Sequence, residues 1–415
     1  MTPDKPLPIT KRMVWEAYQL VAGNGKAAGV DGQSLDEFAQ DLGNNLYKLW
    51  NRMASGSYLP PAVKRVEIPK ANGGIRPLGI PTVADRVAQM VVKQYLEPGL
   101  DRVFDPDSYG YRPRKSAHQA IEQTRKRCWD YDWVLDLDIK GFFDTIDHAL
   151  LVRALRKHCQ EPWVLLYVER WLKAPVEMPD GTIQKREAGT PQGGVVSPLL
   201  ANLFLHYSFD TWMRRTFPRI PFERYADDAI CHCRTRQEAE HLKAVLEKRL
   251  ADCHLTLHPQ KTQVVYCKDS NRRGTHPQVQ FTFLGFTFRP RMAKNRWGKL
   301  FTCFLPAAGP QALKRMRERI RSWRLPQHAP LPLADIARIL NPTLQGWWQY
   351  YGRFYPTEMW KLFTYFDERL GAWLRRKYKS LKRHRGRSLR RLNSIAKRYP
   401  SFFVHWARLG HATVG

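Results

Sequence analysis

The residues best suited to chemistry are three aspartates. Two stand side by side at 224–230, RYADDAI, as Asp227 and Asp228, and the third, Asp138, lies in the run WVLDLDIKGFFDTID at 133–147. Adjacent carboxylates repel, so a folded chain keeps them ionised and inward only where cations supply the counter-charge. An all-oxygen set of this kind suits Mg²⁺. Two such ions roughly 3.5 to 4 Å apart would activate the 3′-hydroxyl of a growing strand and steady a leaving pyrophosphate. An Asp-Asp pair alone is commonplace in solvated turns; Asp138 and a strongly basic chain give this one its weight.

Positioning these groups asks for a sheet. In 133–139 alternation sets Trp133, Leu135, Leu137 and Ile139 on one face and Val134, Asp136 and Asp138 on the other, and the pattern stops after Ile139, which puts Asp138 at a strand end. RYADDAICHC reads as two short strands meeting in a tight turn that holds Asp227 and Asp228. Between these acids lies GTPQGGVVSPLLANLFLHYSF, 189–209, where Gln192, Gly193 and Gly194 form a loop open to close backbone approach. Ser197 is expected as the N-cap and Pro198 as the first helical residue. Leu199, Leu200, Leu203, Phe204 and Tyr207 follow as an apolar stripe. Upstream, IPKANGGIRPLGIPT at 68–82 sets Lys70 and Arg76 about an Asn-Gly-Gly turn, and a hairpin there would aim both cations one way, as a triphosphate needs.

The chain of 415 residues carries 68 Lys and Arg against 38 Asp and Glu, a formal charge of +30, with 43% hydrophobic residues. It is therefore a globular chain with sizeable cores whose expected partner is a polyanion. No apolar run spans a bilayer and MTPDKPLPITKRM has no apolar signal region, so membrane insertion and secretion are not expected. Seven scattered cysteines without a C-x-x-C pair read as reduced core residues of a cytosolic protein and argue against structural zinc. Residues 1–60 read as mainly helical, with Val14, Ala17, Tyr18 and Val21 at helical spacing, 61–290 as mixed strand and helix, and 291–415 as helical, aromatic and then basic. The expected class is α+β with a helical C-terminal part.

Read in order, GIRPLGIPTVADRVAQ, SYGYRPRKSAHQAI, DLDIKGFFDTIDHALL, GTPQGGVVSPLLANLFLH, RYADDAI, LTLHPQKTQVV and FLGFTF, followed by LNPTLQGWWQYYGRF, resemble the successive blocks of bacterial group II intron-encoded reverse transcriptases, or maturases. The resemblance implies a right-hand polymerase: an N-terminal extension touching template RNA over 1–60, fingers and palm over 61–290, and a helical thumb or X domain over 291–415. It implies that Asp138, Asp227, Asp228 and the carbonyl of Ile139 hold two Mg²⁺ ions, with Mn²⁺ able to substitute. Asp227 is then expected to bind both directly, while Asp228 points the other way along the turn. Phe143 takes the place of the steric gate that excludes a 2′-hydroxyl, Lys70 and Arg76 of the triphosphate-binding fingertips, and Gln192 of the nucleotide-pocket glutamine. Lys261, in HPQKT, takes the place of a lysine near the pyrophosphate that acts as general acid. FTFLGFTF takes that of the primer grip.

The segment 373–391, WLRRKYKSLKRHRGRSLRR, has ten Lys or Arg and no acid. Arg375, Arg376, Lys377, Lys379, Lys382 and Arg383 are read as an RNA-binding face of the thumb, where phosphate contacts and shape dominate. The implied function is RNA-directed DNA synthesis by two-metal nucleotidyl transfer, with maturase assistance to splicing and retrohoming. Its implied partners are group II intron RNA or another RNA template, a DNA primer and dNTPs, and its implied place is the bacterial cytosol, at the nucleoid during integration. The sequence lacks the cysteine pairs of the H-N-H endonuclease found in many relatives, so cutting of the second DNA strand is not expected. Two other readings share these residues: a domesticated enzyme of the same class serving DNA repair, phage defence or CRISPR, and an RNA-binding splicing cofactor with a spent polymerase site.

Overall fold

The computed structural model describes residues 5–23, 27–69 and 74–409. Its contacts divide into two compact units, Met1–Ala120 with Trp133–Val264, and Ile121–Asp132 with Val265–Gly415. Both mix helix with strand to different degrees, as an α+β chain should.

The first unit begins with the helix Lys11–Ala22, whose N-cap Thr10 accepts from the Met13 N–H and which buries Val14, Ala17, Tyr18 and Val21 as their spacing predicts. It packs on the long helix Val83–Val103. By their contacts the first 60 residues group with this unit; 24–26 of NGKAAGVDG lie outside the described residues. Strands β1 (Val63–Pro69) and β2 (Ile75–Ile80) pair antiparallel with Arg76 opposite Ile68. Lys70, in the connecting 70–73, lies outside the described residues.

Strand β3 (Trp133–Asp138) belongs to a second sheet; the short strands β4 (Val176–Glu177) and β5 (Ile183–Gln184) extend the first one, in the order β2-β1-β4-β5. The strands β6 (Phe222–Tyr225) and β7 (Asp228–Cys233) form the expected hairpin, and β7 lies antiparallel against β3. Helix Arg236–Ala251 packs on β3 and β7 and buries Ala239, Leu242, Leu246 and Leu250. Helix Ser197–Leu205 is buried nearly all round. Ser197 does not cap it: the side chain is buried and its Oγ takes the Thr190 hydroxyl hydrogen bond at 2.8 Å, tying the preceding loop to the helix. The helix then widens into a π-helical turn, His206–Asp210, that includes Tyr207.

Strand β8 (Gln263–Tyr266) spans the point after Val264 at which the contacts divide the chain. The segment FTFLGFTF belongs to the second unit because β9 (Phe281–Phe283) and β10 (Phe286–Lys294) continue into a sheet with β11 (Leu300–Ala308). Leu284 and Gly285, both at positive φ, make the tight turn between β9 and β10, and Phe281 stacks on Phe288 with centroids 4.7 Å apart. Helices Pro310–Ser322, Leu333–Tyr351, Thr357–Lys377 and Arg385–Arg398 close this unit around Leu344, Phe363, Phe366 and Trp373. All seven cysteines are free. No helix among the described residues is long and apolar enough to cross a membrane.

Candidate active site

Asp138 ends β3 and Asp228 begins β7, and the two are directly opposed in the antiparallel register. Directly opposed residues share a face of the sheet, so both carboxylates stand on one side, with Asp136 two residues back on the same face. Only Ala226 and Asp227 separate Tyr225 from its partner Asp228, which makes a two-residue turn. The pairing of β7 with β3 fixes the face of Asp228 as that of Asp138. Ala226 takes φ 56°, a left-handed conformation that costs a non-glycine residue about 1 to 2 kcal/mol.

Ile139 continues past the strand and bridges Leu257. The flanking bonds run from Lys140 N–H to Thr256 O (2.9 Å) and from His258 N–H to Asp138 O (2.7 Å). In such a pairing the peptide groups of the bridged residue itself point the opposite way, which directs the Ile139 carbonyl toward the β7 side of the strand.

The acids gather more negative charge than the protein offsets. Burial first, and then Asp227, Asp138 and Asp136, push the Asp228 carboxyl up to about 7. Asp136 also rises to about 7, chiefly through burial, against a hydrogen bond from Gln263. Burial and Asp138 raise Asp227, while Arg76 and Lys261 pull it back. The Lys261 ammonium donates to Asp138 Oδ2 and supplies one counter-charge. Among the described residues no three His, Cys, Asp or Glu are drawn close enough to enclose a metal ion unaided. The donor chemistry nevertheless fits a hard divalent cation: carboxylate and carbonyl oxygens only, on one sheet edge, short of positive charge.

Behind the turn lies a buried network whose partners are not adjacent in sequence. Arg224, 1% exposed, donates to both carboxylate oxygens of Asp210 at 2.7 Å, and its Nη1 donates to Asn202 Oδ1 and to the Ala226 carbonyl, each at 3.0 Å. Asn202 in turn donates to the Gly110 carbonyl at 2.6 Å. A Cβ on Gly110 would lie 2.4 Å from the Ala226 nitrogen, so only glycine lets that backbone press against the turn. The π-helical turn brings Asp210 to this place. The dipeptide Arg224-Tyr225 was the available signal, but a buried arginine needs its acid identified, and the acid is fourteen residues upstream.

Arg76 and Gln192, far apart in sequence, meet: the arginine Nε donates to the glutamine Oε1 at 3.1 Å, and the Gly79 N–H donates to the Gln192 carbonyl at 2.6 Å. Tyr111, half exposed and at φ 56°, has its hydroxyl pKa raised by burial first and then by Asp227 and Asp228, while Arg76 pulls it back. It is a neighbour of the site that sequence reading passed over. Phe142 and Phe143 are both buried and meet edge to face at 5.5 Å; Phe142 also packs toward Phe204. Phe143 is held through its backbone, whose carbonyl accepts from Thr190 N–H at 2.7 Å beside Gly189.

In the second unit the six basic residues split. Lys377 donates to the carbonyls of Ala329, Pro330 and Leu331 and lies 5.2 Å from the Trp373 ring centroid, and Arg375 donates to Ser388 Oγ at 3.0 Å. These two are turned to internal partners: the ammonium satisfies carbonyls of the connection 329–331, and the guanidinium meets a hydroxyl of the helix Arg385–Arg398. Arg376, Lys379, Lys382 and Arg383 are exposed.

Residues 68–288 match the family model of reverse transcriptases, RNA-dependent DNA polymerases, and 313–392 match that of the group II intron maturase-specific domain. Protein YkfC of Escherichia coli (strain K12) is 29% identical over 313 residues, 66% of this chain and 78% of that one. The group II intron-encoded protein LtrA of Lactococcus lactis subsp. cremoris is 35% identical over 193 residues, 46% of this chain and 32% of LtrA. Among solved structures, telomerase from Candida albicans aligns with 91% of this chain and 68% of its own at 13% identity and a TM-score of 0.48.

Proposed function

Since the chain belongs to the reverse transcriptase family and carries a group II intron maturase-specific domain, we propose that it copies RNA into DNA at the edge formed by Asp138, Asp227 and Asp228. The observation that carries this is the register that opposes Asp138 and Asp228 with Asp227 in the turn beside them. These carboxylates and the Ile139 carbonyl would hold two Mg²⁺ ions. When bound, such ions lower the pKa of a primer hydroxyl and offset charge on a leaving pyrophosphate.

The chain's own residues do the rest. Arg76, half of a pair with Gln192, presents a guanidinium to the triphosphate, and the Gln192 loop lies beneath the incoming nucleotide. Phe143 excludes the 2′-hydroxyl. Lys261 holds a proton beside Asp138 for the departing pyrophosphate. In fingers, palm and thumb terms, the first unit supplies the catalytic sheet and nucleotide side, and the second the primer grip, β9 to β10, and a thumb. Arg376, Lys379, Lys382 and Arg383 there meet RNA phosphates, as a maturase that binds its intron would need.

Extension of a DNA primer on an RNA template, with dNTPs and Mg²⁺, tests the polymerase reading. Wild type should extend and Asp227→Asn should fall by about 100-fold or more, the rate equivalent of some 2.7 kcal/mol of lost transition-state stabilisation. Binding of Mn²⁺, followed by its paramagnetic resonance, should weaken in the same variant. Equal extension by both proteins sinks the assignment. For the maturase activity, splicing of the flanking intron at low Mg²⁺ should accelerate on adding the protein; no acceleration with cognate RNA favours a domesticated enzyme.

A further inference from the structure

A cavity of about 300 Å³ opens in the first unit and shares no lining residue with the carboxylate edge. Its walls come from the helix His148–Arg156, the π-helical turn with the helix Thr211–Thr216, and the end of helix Arg236–Ala251. Four cations line it, Arg153, Lys157, Arg215 and Arg249, against the single carboxylate of Asp252. Arg249 is committed to the fold: it donates to the carbonyls of Ser208 and Tyr207 at 3.1 and 3.0 Å. Arg153, Lys157 and Arg215 make no salt bridge among the described residues, so three like charges border one small space and an anion there would relieve their repulsion.

The same walls offer aromatic faces. Lys157 lies 4.5 Å from the Tyr207 ring centroid, and the Tyr207 hydroxyl is fixed by His158 Nε2 at 2.6 Å. Trp212 is half buried and meets Phe217 edge to face at 5.5 Å, which holds its ring in place while leaving part of it accessible. Tyr207 reaches the cavity because the chain is π-helical over His206–Asp210; π-turns are rare and are kept mostly where a side chain must be re-aimed for a function. The volume is at the low end for a small-molecule site, enough for one nucleotide and far short of a duplex.

We propose that this pocket binds one nucleotide unit, its phosphate among Arg153, Lys157 and Arg215 and its base against Trp212 and Tyr207. The proposal rests on the polymerase and maturase reading only in expecting that nucleotide to belong to an RNA strand; a free mononucleotide is the other source of the same chemistry.

The test is photo-crosslinking of a short thiouridine-bearing oligouridylate to the full chain, with adducts located by mass spectrometry. Adducts are expected in the peptide that contains Tyr207 and Trp212. They should fall at least about fivefold in Trp212→Leu, the low end of the loss of one base–aromatic stack. In Arg153→Gln/Arg215→Gln, which alters only exposed side chains, the salt dependence of adduct yield should flatten by about 0.7 in logarithmic slope per lost phosphate contact. Millimolar UMP that removes this adduct and spares the others identifies the free nucleotide as occupant, and an adduct indifferent to UMP identifies the strand. Absence of adducts here while other segments crosslink, or equal yields in wild type and both variants, overturns the proposal. Primer extension by the same preparations reports separately on the polymerase reading: intact extension without the pocket adduct sinks the pocket alone.

Discussion

Arg224 offers a way to separate what holds the catalytic turn together from what merely fills space behind it. In Arg224→Leu the Asp210 carboxylate, fully buried, loses both of its 2.7 Å donors, and Asn202 and the Ala226 carbonyl lose one each. Stranding one member of a buried ion pair costs about 3 to 5 kcal/mol. For a unit of this size each kcal/mol moves the melting temperature by about 2 to 4 °C, so a fall of about 6 to 20 °C is expected by calorimetry. Arg224→Leu/Asp210→Leu removes the stranded charge with the cation and should recover most of that loss, because apolar replacements of buried pairs are often neutral. Primer extension should not recover. The turn still has Ala226 at φ 56° and has lost the donor to its carbonyl, so Asp227 and Asp228 are no longer pinned. A residual deficit of about tenfold, some 1.4 kcal/mol of lost positioning, is the expected reading. Recovery of both melting and extension in the double variant refutes the positioning role, and an unchanged melting temperature in the single variant refutes the pairing energy assigned to it.

Three further outcomes follow from the same structure. Gly110→Ala, whose Cβ would lie 2.4 Å from the Ala226 nitrogen and 3.0 Å from the Tyr225 carbonyl carbon, should cost about 1 to 3 kcal/mol in urea melts and depress extension with it. Phe143→Ala should lose about 3 to 5 kcal/mol, as buried phenylalanines do, yet the informative measurement is ribonucleotide against deoxyribonucleotide incorporation; unaltered sugar discrimination moves the gate to another residue. Arg376→Gln should reduce the salt slope of RNA binding by about 0.7 to 0.9 with melting unchanged. Lys377→Gln should lower melting by about 1 to 3 kcal/mol of stability with that slope unchanged, since its ammonium serves three carbonyls; equal behaviour of the two variants contradicts the inward and outward assignment.

How far the sequence could be read depends on the distance over which each feature is decided. The alternation in WVLDLD and the turn in RYADDA are local, since strand period fixes faces and a two-residue loop fixes a hairpin, and they sufficed to bring Asp138 and the Asp227–Asp228 pair to one edge. What lay beyond local pattern was read less well. That Asp228 shares a face with Asp138 is settled by the pairing of β7 with β3, not by the turn. Ser197 looked like an N-cap because Ser-Pro is a local helix-start signal; burial beside Thr190 gave its hydroxyl another partner. Lys377 looks like one more cation in a basic run, and composition cannot say which cation faces the carbonyls of the connection 329–331. Arg224 shows the limit most sharply. Its acid, its amide and its glycine are at 210, 202 and 110, each on a different element, and their meeting is decided only when the helix, the π-turn and the hairpin have packed. A buried charge carries a large energy into that packing, because unpaired it would cost more than most folds can bear. The residues least visible in the sequence are therefore the ones whose partners most narrowly fix where the three visible aspartates stand.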